Sequence, residues 1–391
     1  MRITSTLLVC VTFASATVTG DDRAAKGFEH FYNLEYDQSI AEFRRLVATD
    51  PANPNFQNHL AQAVLYREMF RGGALESELV SGTNPFIRRE KLGASNEATK
   101  EFDSAIKRAM DISQARLDKN QNDVTALYAL GVSHGLRANY NFLVRKAWMD
   151  SLKDATAARK AHNRVVELEP DNIDAQLVQG VHDYIIGSLP FHLKILGFIA
   201  GFHGDRESGI KTLQLVAAKG NANRDDAKVL LAAIYRREKK SEQALPLLNE
   251  LIERFPRNFL FRLETVQMYS DLGQKEPALA ALDKTGQLKR SNTSGFEALP
   301  MEKIQYYRGN LLFWYMDLDR ALEEMKKATS GAQHLDPHTA LLAWMRLGQL
   351  YDMKGRRNEA LSAYRRAISI APQSDVAKES KQYLSSPYRR A

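Results

Sequence analysis

Gly131, Ser133 and Gly135 form a G-x-S-x-G sequence, a pattern found around nucleophilic serines. Such a serine is exposed for catalysis when a strand precedes it and a helix follows it, because the hydroxyl then lies on a strained turn. Here Leu127 and Gly131 recur at helical spacing, so the sequence supplies no strand. We expect Gly131 to be a helix-packing residue and predict no catalytic residue. A serine hydrolase at Ser133 remains an alternative.

Two histidines, His334 and His338, are four residues apart, the spacing that places both side chains on one helix face. Pro337 lies between them and removes a hydrogen bond that an uninterrupted helix would need. The chain also contains no G-x-x-x-x-G-K-[ST] or G-x-G-x-x-G sequence. The sequence therefore predicts no metal, cofactor or nucleotide site.

The charge balance is basic, with 54 Lys and Arg against 47 Asp and Glu, a formal net charge of +7. The basic residues are interleaved with acids along the chain, and no nucleic-acid-binding motif accompanies them. We expect solvated helix faces and no nucleic-acid partner, with weak attraction to acidic partners or anionic lipid surfaces as the functional alternative.

The first residues have the form of a secretory signal. Arg2 is followed by a mostly apolar run at 7–16, and Ala14 and Ala16 bracket one residue, as signal peptidases require. We predict a signal peptide at 1–16, cleavage near Ala16 and a periplasmic or secreted protein. The single cysteine, Cys10, would leave with this peptide, which suits an oxidising compartment and excludes a disulfide scaffold.

A repeated spacing is the main structural signal of the chain. Near the C-terminus, small, aromatic and proline residues are regularly spaced: Trp344, Leu347, Gly348, Tyr351, Ala360, Tyr364, Ala367 and Pro372. Counted from Gly348, the last four of these residues fall at offsets of 12, 16, 19 and 24. The same offsets recur from Gly27 to Pro51 and from Ala232 to Pro256, and partly from Gly309 and Val266.

These spacings resemble the tetratricopeptide repeat, W-x2-L-G-x2-Y followed by A-x3-F/Y-x2-A and P. The resemblance implies an all-α fold, a right-handed superhelical solenoid of antiparallel helix pairs. In each pair the glycine allows the two helices to approach closely, and the proline ends the second helix. With 44% hydrophobic residues the chain can bury the core that such an array requires.

The array is expected to be irregular in its middle. We predict an N-terminal repeat at 17–55, divergent helical repeats at 56–224 and a C-terminal array at 225–391. Glycines and Pro85 predict a loop over about 71–95. The second helix that follows Gly131 begins late, so residues such as those at 143–148 require a longer or an added helix, and Asp205 is expected to start a helix after the apolar stretch 184–202.

Residues 189–209 contain a proline-apolar run and Gly201-Phe202-His203-Gly204-Asp205-Arg206. This stretch is similar to one in the inclusion-body-clearance family of eukaryotic tetratricopeptide proteins, which supports the helical interpretation. The secretory leader departs from that family's intracellular setting. Burial between repeats is expected for 184–202. An envelope-assembly subunit that contacts membrane or lipid through this stretch is the alternative.

A tetratricopeptide array binds protein segments in a concave groove lined by the first helix of each pair. By analogy with the family, groove residues lie at offsets of −6, −3, −2, +1 and +4 from the first-helix glycine. These offsets nominate a set of basic, aromatic and amide residues: Arg236, Lys303, Tyr306, Tyr307, Asn310, Phe313, Arg346, Gln349 and Asp352. The sequence therefore predicts a non-catalytic, exported scaffold for a protein or peptide partner that it does not identify.

Overall fold

The computed structural model describes residues 22–75, 93–188 and 204–390. Within these ranges the chain forms seventeen α-helices and no strand. The predicted all-α architecture of helix pairs is therefore confirmed. The described residues divide into two compact units, the first made of 22–69, 93–188 and 204–237, and the second of 70–75 and 238–390.

The helices of the first unit are α1 (Ala25–Tyr32), α2 (Tyr36–Thr49), α3 (Pro54–Arg71, whose last two residues belong to the second unit), α4 (Asn96–Leu117), α5 (Val124–Tyr140), α6 (Trp148–Leu168), α7 (Gln176–Gly187), α8 (Arg206–Lys219) and α9 (Arg224–Arg237). Consecutive helices pack as α1 with α2, α5 with α6, and α7 with α8. The hydroxyl of Tyr32 in α1 donates to Oδ1 of Asp226 in α9 at 2.8 Å, which ties the start of the unit to its last helix.

The helices of the second unit are α10 (Ser241–Arg254), α11 (Phe259–Asp271), α12 (Lys275–Arg290), α13 (Met301–Trp314), α14 (Leu318–Ser330), α15 (Pro337–Met353), α16 (Arg357–Ile370) and α17 (Asp375–Ser385). They pair as α11 with α12, α13 with α14, and α15 with α16, and α17 packs against the last pair. Short connections between contacting helices make each pair antiparallel.

The repeat glycines lie where the two helices of a pair approach most closely. A Cβ atom added at Gly348 would be 2.5 Å from Cε1 of Tyr364, and one added at Gly27 would be 2.3 Å from Cε1 of Phe43. At Gly309 the nearest atom is Cγ of Met325, at 3.0 Å. Each of these partners lies at the offset of 16 that the repeat predicts. The glycines are therefore required because their partner side chains fill the space of a Cβ atom.

The second helices end where the sequence predicts. Helix α2 ends at Thr49, α10 at Arg254 and α16 at Ile370, in each case two residues before a repeat proline. Proline cannot donate a backbone hydrogen bond and restricts the residue before it to extended conformations. The proline therefore separates one helix pair from the next.

The extra residues between Gly131 and its second helix form a π-helical turn. Residues Asn141–Arg145 form a π-helical turn at the end of α5, and Lys146 then adopts a left-handed conformation with φ of 58° before α6 begins. His162 of α6 contacts Gly131, and its ring lies 4.9 Å from that of Tyr128. Burial lowers the pKa of His162 to about 3, so this histidine is a neutral packing residue.

The middle of the chain confirms a predicted helix start. The side chain of Asp205 caps α8, its Oδ1 accepting a hydrogen bond from the Ser208 backbone N–H at 2.7 Å. Residues 1–21, 76–92 and 189–203 lie outside the described residues, and with them the predicted signal peptide, most of the 71–95 loop and most of the 184–202 stretch. No helix among the described residues is both long and apolar enough to cross a membrane.

We expect Gly348→Ala to lower the free energy of unfolding by about 1–3 kcal/mol, because the new methyl group collides with the buried ring of Tyr364. Gly286→Ala in α12 is the matched control, since the nearest atom there is the flexible end of Arg290 at 3.2 Å. The control should leave stability unchanged or raise it by up to about 1 kcal/mol through helix propensity. Urea unfolding followed by circular dichroism measures both, and equal stabilities would contradict the close-approach account.

Candidate functional site

Eight of the nine predicted groove residues lie on two helices of the second unit. Helix α13 carries Lys303, Tyr306, Tyr307, Asn310 and Phe313, and helix α15 carries Arg346, Gln349 and Asp352. The ninth residue, Arg236, lies near the end of α9 in the first unit and is buried. We call the surface formed by Asn310, Phe313, Trp314, Arg346, Gln349 and Asp352 the α13–α15 surface.

Arg346 is the basic residue of the α13–α15 surface. Its Nε donates to Oδ1 of Asn310 at 2.9 Å, and its Nη1 donates to Oε1 of Gln349 at 2.7 Å. The guanidinium also lies over two aromatic rings, 4.1 Å from the centre of Phe313 and 5.0 Å from that of Trp314. Planar guanidinium groups stack on aromatic faces while their edges form hydrogen bonds. These contacts together fix the position of the Arg346 guanidinium on the surface.

The aromatic part of the surface is covered to different degrees. Phe313 is 0% exposed, whereas the neighbouring Trp314 is 48% exposed. The guanidinium groups of Arg346 and Arg390 and the ring of Tyr388 all lie against Phe313, the last with 6.1 Å between ring centres. Phe313 is thus a buried ring on which other side chains pack, and Trp314 is the ring that is exposed to solvent.

Asp352 is a buried acceptor at the end of α15. Its side chain is 1% exposed, and its carboxylate accepts hydrogen bonds from Arg357 Nη1 at 2.9 Å and from the Tyr364 hydroxyl at 2.9 Å. Burial, and then the hydrogen bond to Asp352, raise the pKa of Tyr364 far above its ordinary value. A third donor, the backbone N–H of Tyr388, reaches Oδ2 at 2.8 Å. Asp352 therefore holds a backbone segment as well as side chains.

Lys303 and Asp336 form a buried ion pair at the other end of α13 and α15. The Nζ–Oδ2 distance is 2.7 Å, and the side chains are only 7% and 10% exposed. Burial acts to raise the pKa of Asp336, but the charge of Lys303 and hydrogen bonds from Lys303 and Thr339 outweigh it and hold the pKa below its ordinary value. The ammonium group of Lys303 is thus paired with the Asp336 carboxylate.

The remaining predicted residues are packing residues in this structure. Tyr306 and Tyr307 are 4% and 2% exposed, and their rings meet edge to face at 5.6 Å. Gly73 also belongs to this region, since a Cβ atom added there would lie 2.0 Å from Oδ1 of Asp336. The chain itself therefore covers the Lys303 end of the two helices.

Sequence reasoning missed three contributors to this site: Trp314, Tyr388 and Arg390. Trp314 follows Phe313 directly but lies outside the family offsets, so only its exposure identifies it. Tyr388 and Arg390 follow α17 after a Ser-Ser-Pro sequence that ends the helix. The sequence shows an aromatic and a basic residue beyond the last repeat. The surface against which these side chains pack depends on the three-dimensional path of the chain.

Ser133 lies inside helix α5 and is fully buried. Its hydroxyl donates to Oδ1 of Asn58 at 2.7 Å and to the carbonyl oxygen of Ala129 at 2.9 Å. Such a serine is not on the exposed turn that nucleophilic attack requires. His134 points elsewhere, with Nδ1 2.9 Å from Oδ1 of Asp154. The geometry therefore corresponds to helix packing, as the repeat interpretation predicts.

The two histidines around Pro337 do not share a helix face. Pro337 is the first residue of α15, with Asp336 as its N-cap, and His334 lies in the preceding 3₁₀ turn. Nδ1 of His334 is 2.9 Å from Oε1 of Glu302. Across the described ranges, no three His, Cys, Asp or Glu side chains converge as a metal site would require.

Lys303→Met should lower the free energy of unfolding at neutral pH by about 3–5 kcal/mol, because it leaves Asp336 as an uncompensated buried charge. The folded-state pKa of Asp336 is lowered, so the ion pair stabilises the wild type above the unfolded-state pKa of about 3.9. That stabilisation is lost as the pH falls through the lowered folded-state pKa. The difference between variant and wild type should therefore shrink in acid.

Chemical unfolding between pH 7 and pH 3 measures this difference. The matched control is Lys107→Met, since Lys107 and Asp111 form an exposed pair with side chains 77% and 54% accessible. The control should change stability by no more than about 1 kcal/mol at any pH. A Lys303→Met effect as small as that of the control would contradict the assignment of a stabilising buried pair.

Two segments of the chain match the sequence profile of the tetratricopeptide repeat, residues 341–374 and residues 226–258. The first segment covers most of α15 and all of α16, and the second covers most of α9 and all of α10. The human protein O-mannosyl-transferase TMTC1 is 31% identical over 112 residues, which are 29% of this chain and 12% of the transferase. The chain therefore spans only a small part of that protein's length.

Three solved structures are similar to this chain at low sequence identity. YrrB, described as a TPR protein with an unusual peptide-binding site, is 15% identical over 69% of this chain and 97% of its own, with a TM-score of 0.31. Yeast Tom70 is 13% identical over 93% and 94%, with a TM-score of 0.41. The human IFIT1 dimer with m7Gppp-AAAA is 15% identical over 86% and 68%, with a TM-score of 0.40.

These TM-scores are all below 0.5, so they do not establish a common overall arrangement. The assignment of the two repeats depends instead on the two sequence matches and, for the match at 341–374, on the glycine contact at Gly348. The predicted resemblance is confirmed: the chain contains tetratricopeptide repeats at 226–258 and 341–374.

Proposed function

We propose that the protein is a tetratricopeptide-repeat scaffold that binds a segment of a partner protein on the α13–α15 surface. Repeats of this kind present extended binding surfaces built from equivalent positions of neighbouring units. Phe313 and Asp352 are such equivalent positions, each four residues after the repeat glycine of its helix. The surface thus combines positions of two adjacent repeats.

The observation that carries the proposal is the fixed guanidinium of Arg346 beside the exposed ring of Trp314. Hydrogen bonds to Asn310 and Gln349 and stacking on Phe313 hold this cation in a fixed position. Tryptophan and arginine are the residue types that contribute most to binding energy at protein interfaces. A preorganised pair loses little side-chain entropy when a partner arrives.

The proposed activity is binding without catalysis. In support, the one sequence pattern that suggested a nucleophile, around Ser133, is buried in a helix and hydrogen-bonded to Asn58. The mannosyl-transferase activity in the name of TMTC1 belongs to a whole protein, and this chain matches only 12% of its length. We therefore do not transfer its named activity to this chain.

We also propose export, with removal of residues 1–16. Support comes from the positive, apolar and small-x-small elements of the leader and from a chain whose single cysteine lies within it. The membrane-associated alternative depends on 184–202, of which only 184–188 are described; Tyr184 and Ile185 are buried there. We therefore favour an exported protein that binds another protein.

Exchanging both Asn310 and Arg346 for Ala should weaken recovery of the native partner at least about 10-fold, because it removes a hot-spot cation and the amide that positions it. The matched control is Arg366→Ala, which removes an exposed arginine from α16 outside the surface. Affinity purification from the native source, with quantitative mass spectrometry, measures the effect. Equal recovery of every partner by the double variant, folded as judged by circular dichroism, would contradict the assignment.

Export predicts that the mature chain begins at Thr17. N-terminal sequencing of the protein recovered from outside the cytoplasm tests this directly. Ala16→Arg should block cleavage and leave the leader attached, because signal peptidases require a small residue at that position. A chain that keeps Met1 and remains in the cytoplasm would contradict the proposal.

A further inference from the structure

The short segment after α17 lies on the α13–α15 surface as a bound peptide would. We propose that residues 388–390 are an internal ligand of this surface, and that the partner presents an aromatic residue followed two positions later by arginine, which displaces them. The inference rests on the proposed function and adds the chemistry of the partner and its regulation. We call residues 386–390 the C-terminal tail.

Arg390 supplies the basic element of this ligand. Its Nη1 donates to the carbonyl oxygen of Phe313 and its Nη2 to that of Trp314, both at 3.1 Å. These carbonyl groups are acceptors in the last turn of α13, where no following helical turn donates to them in the regular pattern and the helix dipole is negative. The Phe313 carbonyl also accepts a hydrogen bond from the Met316 backbone N–H at 3.1 Å. The guanidinium also lies 5.3 Å from the centre of the Trp314 ring. The end of α13 therefore selects a planar cation.

Tyr388 supplies the aromatic element. Its ring lies 6.1 Å from that of Phe313 and 5.3 Å from that of Tyr383, the second contact being edge to face at 84°. Its backbone N–H donates to Oδ2 of Asp352 at 2.8 Å. The surface thus binds one ring and one backbone amide, which are the two anchors that peptide-binding grooves use for specificity and register.

The tail joins equivalent positions of two neighbouring repeats. Tyr388 reaches Asp352, and both Tyr388 and Arg390 reach Phe313, the position that corresponds to Asp352 in the preceding repeat. A segment that only capped the last helix pair would have no need of the earlier repeat. This bridging is the reason to interpret the tail as a ligand.

The tail can be released without dismantling the repeats. Helix α17 ends at Ser385, and Ser386 then adopts an extended conformation before Pro387. Asp352 keeps its hydrogen bonds from Arg357 and Tyr364 when the Tyr388 amide leaves. A competing segment with the same two anchors would therefore replace the tail on a surface that is already formed.

The test uses a fluorescent peptide with the sequence of residues 384–391 and the full chain carrying Tyr388→Ala and Arg390→Ala. The variant tail no longer competes, so the peptide should bind this chain at least about 10-fold more tightly than the wild type, because the internal competitor has lost both of its anchors. Arg389→Ala is the matched control, since Arg389 is exposed between the two anchors. It should bind the peptide as weakly as the wild type.

A peptide in which the tyrosine and the last arginine are both alanine should not bind either chain. Equal peptide affinity for the double variant and the wild type would overturn the inference. If thermal unfolding shows that the double variant is less stable than the wild type, the full chain with Arg390→Ala alone is used in its place. The affinity for the peptide should again increase relative to the wild type, but by a smaller factor.

Partner recovery separates this inference from the proposed function. Partner binding that depends on Arg346 but is unchanged by the double tail variant would overturn the internal-ligand proposal and leave the scaffold in place. Increased partner recovery by the double tail variant would support both. Peptide binding to the variant without any partner that depends on Asn310 and Arg346 would instead overturn the proposed function.

Discussion

The closest approach between the two helices of a repeat is the constraint on which the rest of the structure depends. At Gly348 the ring of Tyr364 occupies the place of a Cβ atom, and at Gly309 Met325 packs tightly against that place, with its Cγ 3.0 Å away. This contact fixes the distance and rotation of each first helix against its second helix. Because two residues rotate a helix by about 200°, Arg346 lies nearly opposite the face that packs at Gly348. The packing glycine thus determines where the recognition residue points.

Buried charges make this framework specific as well as compact. Asp352 is neutralised by Arg357 and hydrogen-bonded by Tyr364, and Lys303 is paired with Asp336. A buried charge without such a partner would be strongly destabilising, so each pair admits few alternative arrangements of its helices. The Asp352 network belongs to the α13–α15 surface, and the Lys303–Asp336 pair lies at the other end of the same two helices. The side chains of the α13–α15 surface are therefore held in place before any partner binds, which lowers the entropy lost on binding.

Features set by local spacing could be predicted from the sequence. The glycine contact at Gly348 and the cap at Asp205 are examples, since both depend on residues a few positions or one helix pair away. The covering of Phe313 by Tyr388 and the contact of Gly73 with Asp336 could not be predicted in this way. They join residues that are distant in sequence, and nothing in the repeat pattern specifies the path of a segment outside the repeats.

The central claim is that the α13–α15 surface binds another protein. The most direct measurement places a photo-crosslinking amino acid at Trp314, which is 48% exposed, in the full chain in its native source. A discrete partner protein should crosslink at this position and not at the exposed Arg366 of α16. The account predicts that this crosslink disappears when Arg346 is exchanged for Ala. Crosslinking that is absent at 314, or equal at 314 and 366, would contradict it.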